Sequence, residues 1–144
     1  MNKIKILILI IIAIILTNCT LHLGTFSSPE EIMDWIYNNI EYKLNTYYNA
    51  NPIETLNNRY GDCNDMTWLF GQMCHEHLNI IPFSVLLKEK NVKNTGHVIS
   101  SIQNKYYDIQ RNNILTNKKI IKKFYIIKAI NYQFTSTLNL TCFD

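Results

Sequence analysis

The run Tyr60-Gly61-Asp62-Cys63-Asn64-Asp65-Met66-Thr67-Trp68-Leu69-Phe70 constrains the fold more than any other stretch. Gly61 interrupts the incoming chain, Asp62 is a favoured N-cap, and Asp65 three residues later completes a capping-box pair. Met66, Leu69, Phe70, Met73 and Cys74 then recur at helical spacing, which predicts one apolar face down about three turns. Cys63 is thereby set in the first turn, where unpaired backbone N–H groups and the positive end of the dipole favour a thiolate. A thiolate there is a nucleophile, and the neighbouring N–H groups suit an oxyanion. The same residue without chemistry is a small apolar side chain packed under a helix start.

Beyond this helix, residues 80–87 are rich in branched side chains and read as a buried strand, and residues 88–95 as a polar loop. Two further strands, 96–102 and 105–110, are separated by a tight turn at Gln103-Asn104 or Asn104-Lys105. His97 opens the first strand and Asp108 lies near the end of the second. An even-numbered loop puts these two on the same face, because side chains alternate along a strand. With Gln103-Asn104 as the loop, Asp108 is diagonal to His97 and Gln110 lies directly opposite. Diagonal neighbours are about 7–8 Å apart at the backbone, within reach of a His–carboxylate hydrogen bond. Either Asp108 or Gln110 can fix the imidazole tautomer, and Asp108 can also stabilise an imidazolium. A three-residue loop would break this parity.

At 144 residues, 47% hydrophobic, the chain has material for one domain. Setting aside Lys3 and Lys5, its 14 basic residues become 12 against 11 acidic ones, a balance that argues against nucleic acid as a partner. Residues 1–18 read as a signal segment: Lys3 and Lys5 form a positive start, and residues 6–16 are an unbroken apolar run, short for a membrane span. Leu16-Thr17-Asn18-Cys19 resembles a bacterial lipoprotein signal, with Cys19 lipidated; a plain secretory signal or an uncleaved anchor are the other readings. Each implies export to the cell envelope, and lipidation implies a membrane anchor. Residues 19–28 form a tether, and the domain occupies 29–144.

Ser28-Pro29-Glu30-Glu31 is a helix start, with Ile32, Trp35, Ile36 and Ile40 as its buried stripe and Met33 and Tyr37 at the margins. The pattern then weakens until Asn51-Pro52 marks a turn, and residues 52–58 suit another helical turn. Cys74, His75 and His77 invite a metal reading, but histidines two apart diverge on a helix, so surface histidines beside a buried cysteine are expected, with no metal. Cys142 and Cys74 are candidates for a disulfide whose connectivity the sequence leaves open. In the tail, Lys118, Lys119, Lys122 and Lys123 fall on one side of a helical plot and Ile120, Ile121 and Phe124 on another. That is either an amphipathic helix on anionic lipid or a short helix with solvated lysines, followed by a closing strand at 125–135.

Arg59-Tyr60-Gly61-Asp62-Cys63-Asn64-Asp65, then Gly96-His97-Val98, then Lys105-Tyr106-Tyr107-Asp108, in that order, resemble a transglutaminase-like cysteine-enzyme core over residues 29–112. The resemblance implies an α+β papain-like fold, with helices, one carrying the cysteine, packed on a small antiparallel sheet carrying His and Asp. It implies Cys63 as nucleophile, His97 as base and acid, Asp108 as orienting acid, a peptide or protein amide as substrate, and no cofactor. Asn57, six residues before Cys63, has the spacing of the papain-type oxyanion glutamine. The chain departs from the pattern in its short His-to-Asp spacing and in Ile109, where proline often follows the acid. An inactive lipoprotein using the same fold for binding or assembly is the other functional reading, and the oligomeric state is left open. If Cys19 is lipidated, intact-mass analysis of the membrane fraction will show a lipid increment that Cys19→Ala abolishes; an unchanged mass overturns that reading.

Overall fold

In the computed structural model, residues 25–44, 51–92 and 96–131 are described, Asn131 by its backbone alone. The expectations for residues 1–18, Cys19, Cys142 and 132–135 lie outside them. The elements run α1 (Pro29–Asn39), β1 (Glu41–Tyr42), α2 (Pro52–Asn58), β2 (Tyr60–Gly61), α3 (Cys63–Leu78), β3 (Phe83–Glu89), β4 (Gly96–Ile102), β5 (Lys105–Asp108), a 3-10 turn (Ile109–Arg111), β6 (Asn113–Thr116), α4 (Asn117–Lys123) and β7 (Phe124–Asn131). This is the α+β class expected. No described helix is long and apolar enough to cross a membrane.

Strands β3 to β7 form one antiparallel sheet in the order β6-β5-β4-β3-β7. The hairpin from β4 to β5 turns on Gln103 and Asn104, both left-handed at φ 47° and 67°, and pairs Ile102 with Lys105. This two-residue turn matches the twist of the strands, and its loop is the even-numbered one considered above. Ser100 pairs with Tyr107, so Ile99 and Asp108 share the opposite face, with His97 two residues along it.

The two faces carry different layers. On one, α3 lies across β4, its Thr67 hydroxyl donating to the Val98 carbonyl at 3.2 Å, while Phe70 packs its ring on Tyr107 at 5.3 Å. Met66, Leu69, Phe70, Met73 and Cys74 are all buried, as the helical spacing predicts. On the other face, Ile120 of α4 joins Val85, Leu87, Ile99 and Phe124 in a second cluster. Helix α1 is capped by Ser28, whose hydroxyl accepts from the Glu31 N–H at 3.3 Å. Its Glu30 carboxylate receives bonds from Lys105 Nζ at 3.0 Å and the Tyr107 hydroxyl at 3.1 Å, fastening α1 to β5. Burial works against the Glu30 charge, but these donors outweigh it and hold the carboxyl below its ordinary range.

Several expectations are corrected. Met33 is buried and Trp35 only half-buried, because Trp35 sits at the helix margin between the edge of the Phe26 ring and the Arg59 guanidinium, 5.7 Å above it. Ile121 is 63% exposed rather than grouped with Ile120, since in the short α4 only one turn faces the sheet. Strand β3 starts at Phe83, not at residue 80, leaving Ile81 exposed in the approach to it. The two-residue parallel pair β1–β2, Glu41 with Tyr60 and Tyr42 with Gly61, has no sequence signature.

Gly61 is needed for closeness rather than for an unusual backbone. The left-handed residue of this connection is Arg59, at φ 58°. A Cβ at Gly61 would fall 2.7 Å from Asp65 Cβ and 3.1 Å from Thr55 Cγ2. Both neighbours are buried, so neither can retreat. Gly61→Ala is therefore expected to cost about 1–3 kcal/mol by overpacking, whereas Ile121→Ala on the exposed face stays within about 0.5 kcal/mol; urea denaturation of both variants checks the contrast.

Candidate active site

The first turn of α3 is built by reciprocal capping. Asp62 Oδ1 accepts from the backbone N–H of Asn64 at 2.8 Å and of Asp65 at 3.1 Å. Asp65 Oδ2 in return accepts from the Asp62 N–H at 3.1 Å. Asp65 is itself buried, so this carboxylate is held by the cap it completes. The result fixes Cys63 at the first helical position, half-buried and with a free thiol. No earlier turn supplies a carbonyl for its backbone N–H.

His97 and Asp108 meet as the hairpin register requires. His97 Nε2 and Asp108 Oδ1 are 2.8 Å apart, and both residues are buried. The carboxylate can only accept, so Nε2 carries the proton and donates. Cys63 lies close enough to the ring to act on its charge. With Nε2 engaged by Asp108, Nδ1 is the nitrogen left for it. The His97 ring also packs against Phe124, at 6.5 Å between centroids. Gln110 is carried into the 3-10 turn, because β5 ends at Asp108 before the strand can bring residue 110 opposite His97. Asn57 lies exposed on α2, apart from the hydrogen bonds that join Cys63, His97 and Asp108.

Two residues here went unremarked in the sequence. Arg111 Nη1 donates to Asp108 Oδ2 at 3.1 Å, so each oxygen of the carboxylate has its own cationic or N–H partner. Tyr42, on β1, sits within electrostatic reach of Cys63, Asp62 and Arg111; burial and then the negative charges of Cys63 and Asp62 push its hydroxyl up. The spacing of Arg111 three residues after Asp108 was a visible signal, whereas Tyr42 is delivered by the unforeseen β1–β2 pair.

Burial opposes a charge on His97, yet the Asp108 hydrogen bond, the Cys63 hydrogen bond and the negative charge of both outweigh it and push the imidazole up to about 9. Elsewhere on α3, Cys74 is buried, and desolvation followed by the Glu30 charge pushes its thiol far above the ordinary range. His77 lies edge-on to Phe26 at 5.0 Å, its pKa lowered chiefly by burial. Among the described residues, no cluster of three His, Cys, Asp or Glu side chains is placed to hold a metal.

The chain matches the transglutaminase-like domain family over residues 23–132. It belongs to that family. No curated protein matches it. Among solved structures, a candidate cysteine protease from Cytophaga hutchinsonii is similar at 21% identity and a TM-score of 0.45, over 73% of this chain and 42% of the neighbour. The chain thus spans less than half the length of that neighbour. In this transglutaminase-like domain the cysteine, histidine and aspartate segments occupy three separate elements, α3, β4 and β5, that the fold brings to one point.

The raised pKa of His97 has a signed consequence for stability. Its contribution is complete below the unfolded value near 6.5 and is lost as pH rises through about 9. The amount is of the order of 3 kcal/mol. NMR titration should place the His97 midpoint near 9 in the native chain. It should fall in Cys63→Ser, and fall further, below the ordinary histidine value, in Asp108→Asn, where burial acts with little to oppose it.

Proposed function

We propose that this chain is a cysteine-dependent acyl-transfer enzyme acting on a peptide or protein amide, with Cys63, His97 and Asp108 as its catalytic residues. The observation that carries the reading is the imidazole held between a carboxylate at 2.8 Å and a free, half-buried thiol at a helix start. Membership of the transglutaminase-like family supports it.

The chemistry follows from the order of groups. With Nε2–H committed to Asp108, His97 Nδ1 accepts the Cys63 proton and the pair becomes thiolate and imidazolium. The sulfur attacks the amide carbon; a C–S bond forms and the carbonyl π pair moves onto oxygen. The Cys63 backbone N–H, unused by the helix, is a donor for that oxyanion. Collapse breaks the C–N bond as Nδ1–H protonates the departing amine, leaving a thioester. Water or a second amine then attacks, gives its proton to Nδ1, and releases the sulfur. Arg111 acts one step back, holding the Asp108 carboxylate in place. We further propose that the domain works outside the cytoplasm, held to a membrane through Cys19, where an amide of the cell envelope is the accessible substrate class.

An iodoacetamide or vinyl-sulfone probe tests the reading. Labelling should fall on Cys63, vanish in Cys63→Ala, and slow about 10²–10⁴-fold in His97→Ala. A trapped acyl group on Cys63, seen by mass spectrometry after exposure to envelope peptides, would name the substrate. Labelling no faster than that of an ordinary exposed thiol would leave the fold with a binding or assembly role.

A further inference from the structure

The side of Asp108 that faces away from His97 opens into a cleft of about 490 Å³, lined by Asp108, Arg111, Lys119, Lys122, Lys123 and Phe124, with Asn113 and Leu115 completing it. Its charge is lopsided. The one carboxylate, Asp108, is already shared between His97 and Arg111. Lys123 pairs with Glu89 at 3.3 Å. Lys119 and Lys122 are exposed and have no ion pair among the described residues. Of the four cations lining the cleft, Arg111 and Lys123 are paired with Asp108 and Glu89, which leaves Lys119 and Lys122 without an ion pair among the described residues.

We infer that this cleft is a binding site for a small organic polyanion, a molecule carrying two or more phosphate or carboxylate groups on an apolar body. The volume is that of small-ligand pockets, roughly 300–1,000 Å³, and too confined for a nucleic-acid groove. Arg111 supplies the planar donor that suits two oxygens at once, and Lys119 and Lys122 supply mobile point charges for a second anionic group. Leu115 and Phe124 offer the apolar wall. A ligand seated there would share Arg111 with Asp108 Oδ2, and would touch Phe124, which packs on the His97 ring. The site stands on these side chains alone and does not depend on the proposed chemistry of Cys63.

Calorimetric titration of the full chain with inorganic pyrophosphate and, separately, citrate tests it and distinguishes phosphoryl from carboxylate ligands. Saturable binding of either anion is expected, weakened at least about tenfold in Lys119→Gln/Lys122→Gln. It should be unchanged in Lys118→Gln, a lysine of the same helix outside the cleft. All the replaced lysines are exposed, so the melting temperature without ligand should stay the same, which separates lost binding from lost folding. Binding of neither anion, equal weakening by Lys118→Gln, or binding confined to anionic lipid vesicles would each overturn the inference.

Discussion

A carboxylate taken out of water costs several kcal/mol unless partners replace the lost hydration. Asp108 is 1% exposed and replaces it on both oxygens, His97 on one and Arg111 on the other. This double engagement requires β4 and β5 in one register and a 3-10 turn to swing Arg111 back. The register is set by the Gln103-Asn104 turn, and the turn after β5 begins at Ile109, which is buried. The position of the imidazole, and hence what it can do to the sulfur at the start of α3, follows from those local choices.

The α3 side of this arrangement is equally local in origin. Asp62 and Asp65 cap each other's backbone, and Gly61 permits that pair to lie against the preceding strand. The cysteine needs no long-range contact to be placed at the head of its helix. What must be supplied from afar is the sheet, and Thr67 bonding to the Val98 carbonyl is one of the points where helix and sheet are joined.

Much of this was legible in the chain because it rests on short-range chemistry. The capping box, the apolar face of α3, the α1 start and the same-face parity of His97 and Asp108 are all matters of spacing within a dozen residues. The closing strand was foreseen as well, and the described part of it runs along β3. What escaped depended on neighbours that spacing does not reveal. Trp35 reads as core until Arg59 and Phe26 are seen to cover it at the margin. Ile121 belongs to the apolar set by composition, but a seven-residue helix has room to present only Ile120 to the sheet. Tyr42 reaches the site through a two-residue parallel pairing that leaves no hydrophobic pattern. Gln110 would face His97 only if β5 continued past Asp108, where the chain instead enters the 3-10 turn.

The clasp between α1 and β5 has a mechanical side. Glu30 stands in the first turn of the first described helix, and it grips Lys105 and Tyr107 some 75 and 77 residues further along the chain. The clasp therefore ties the helix that opens the described domain to the strand that ends in Asp108 by side chains alone.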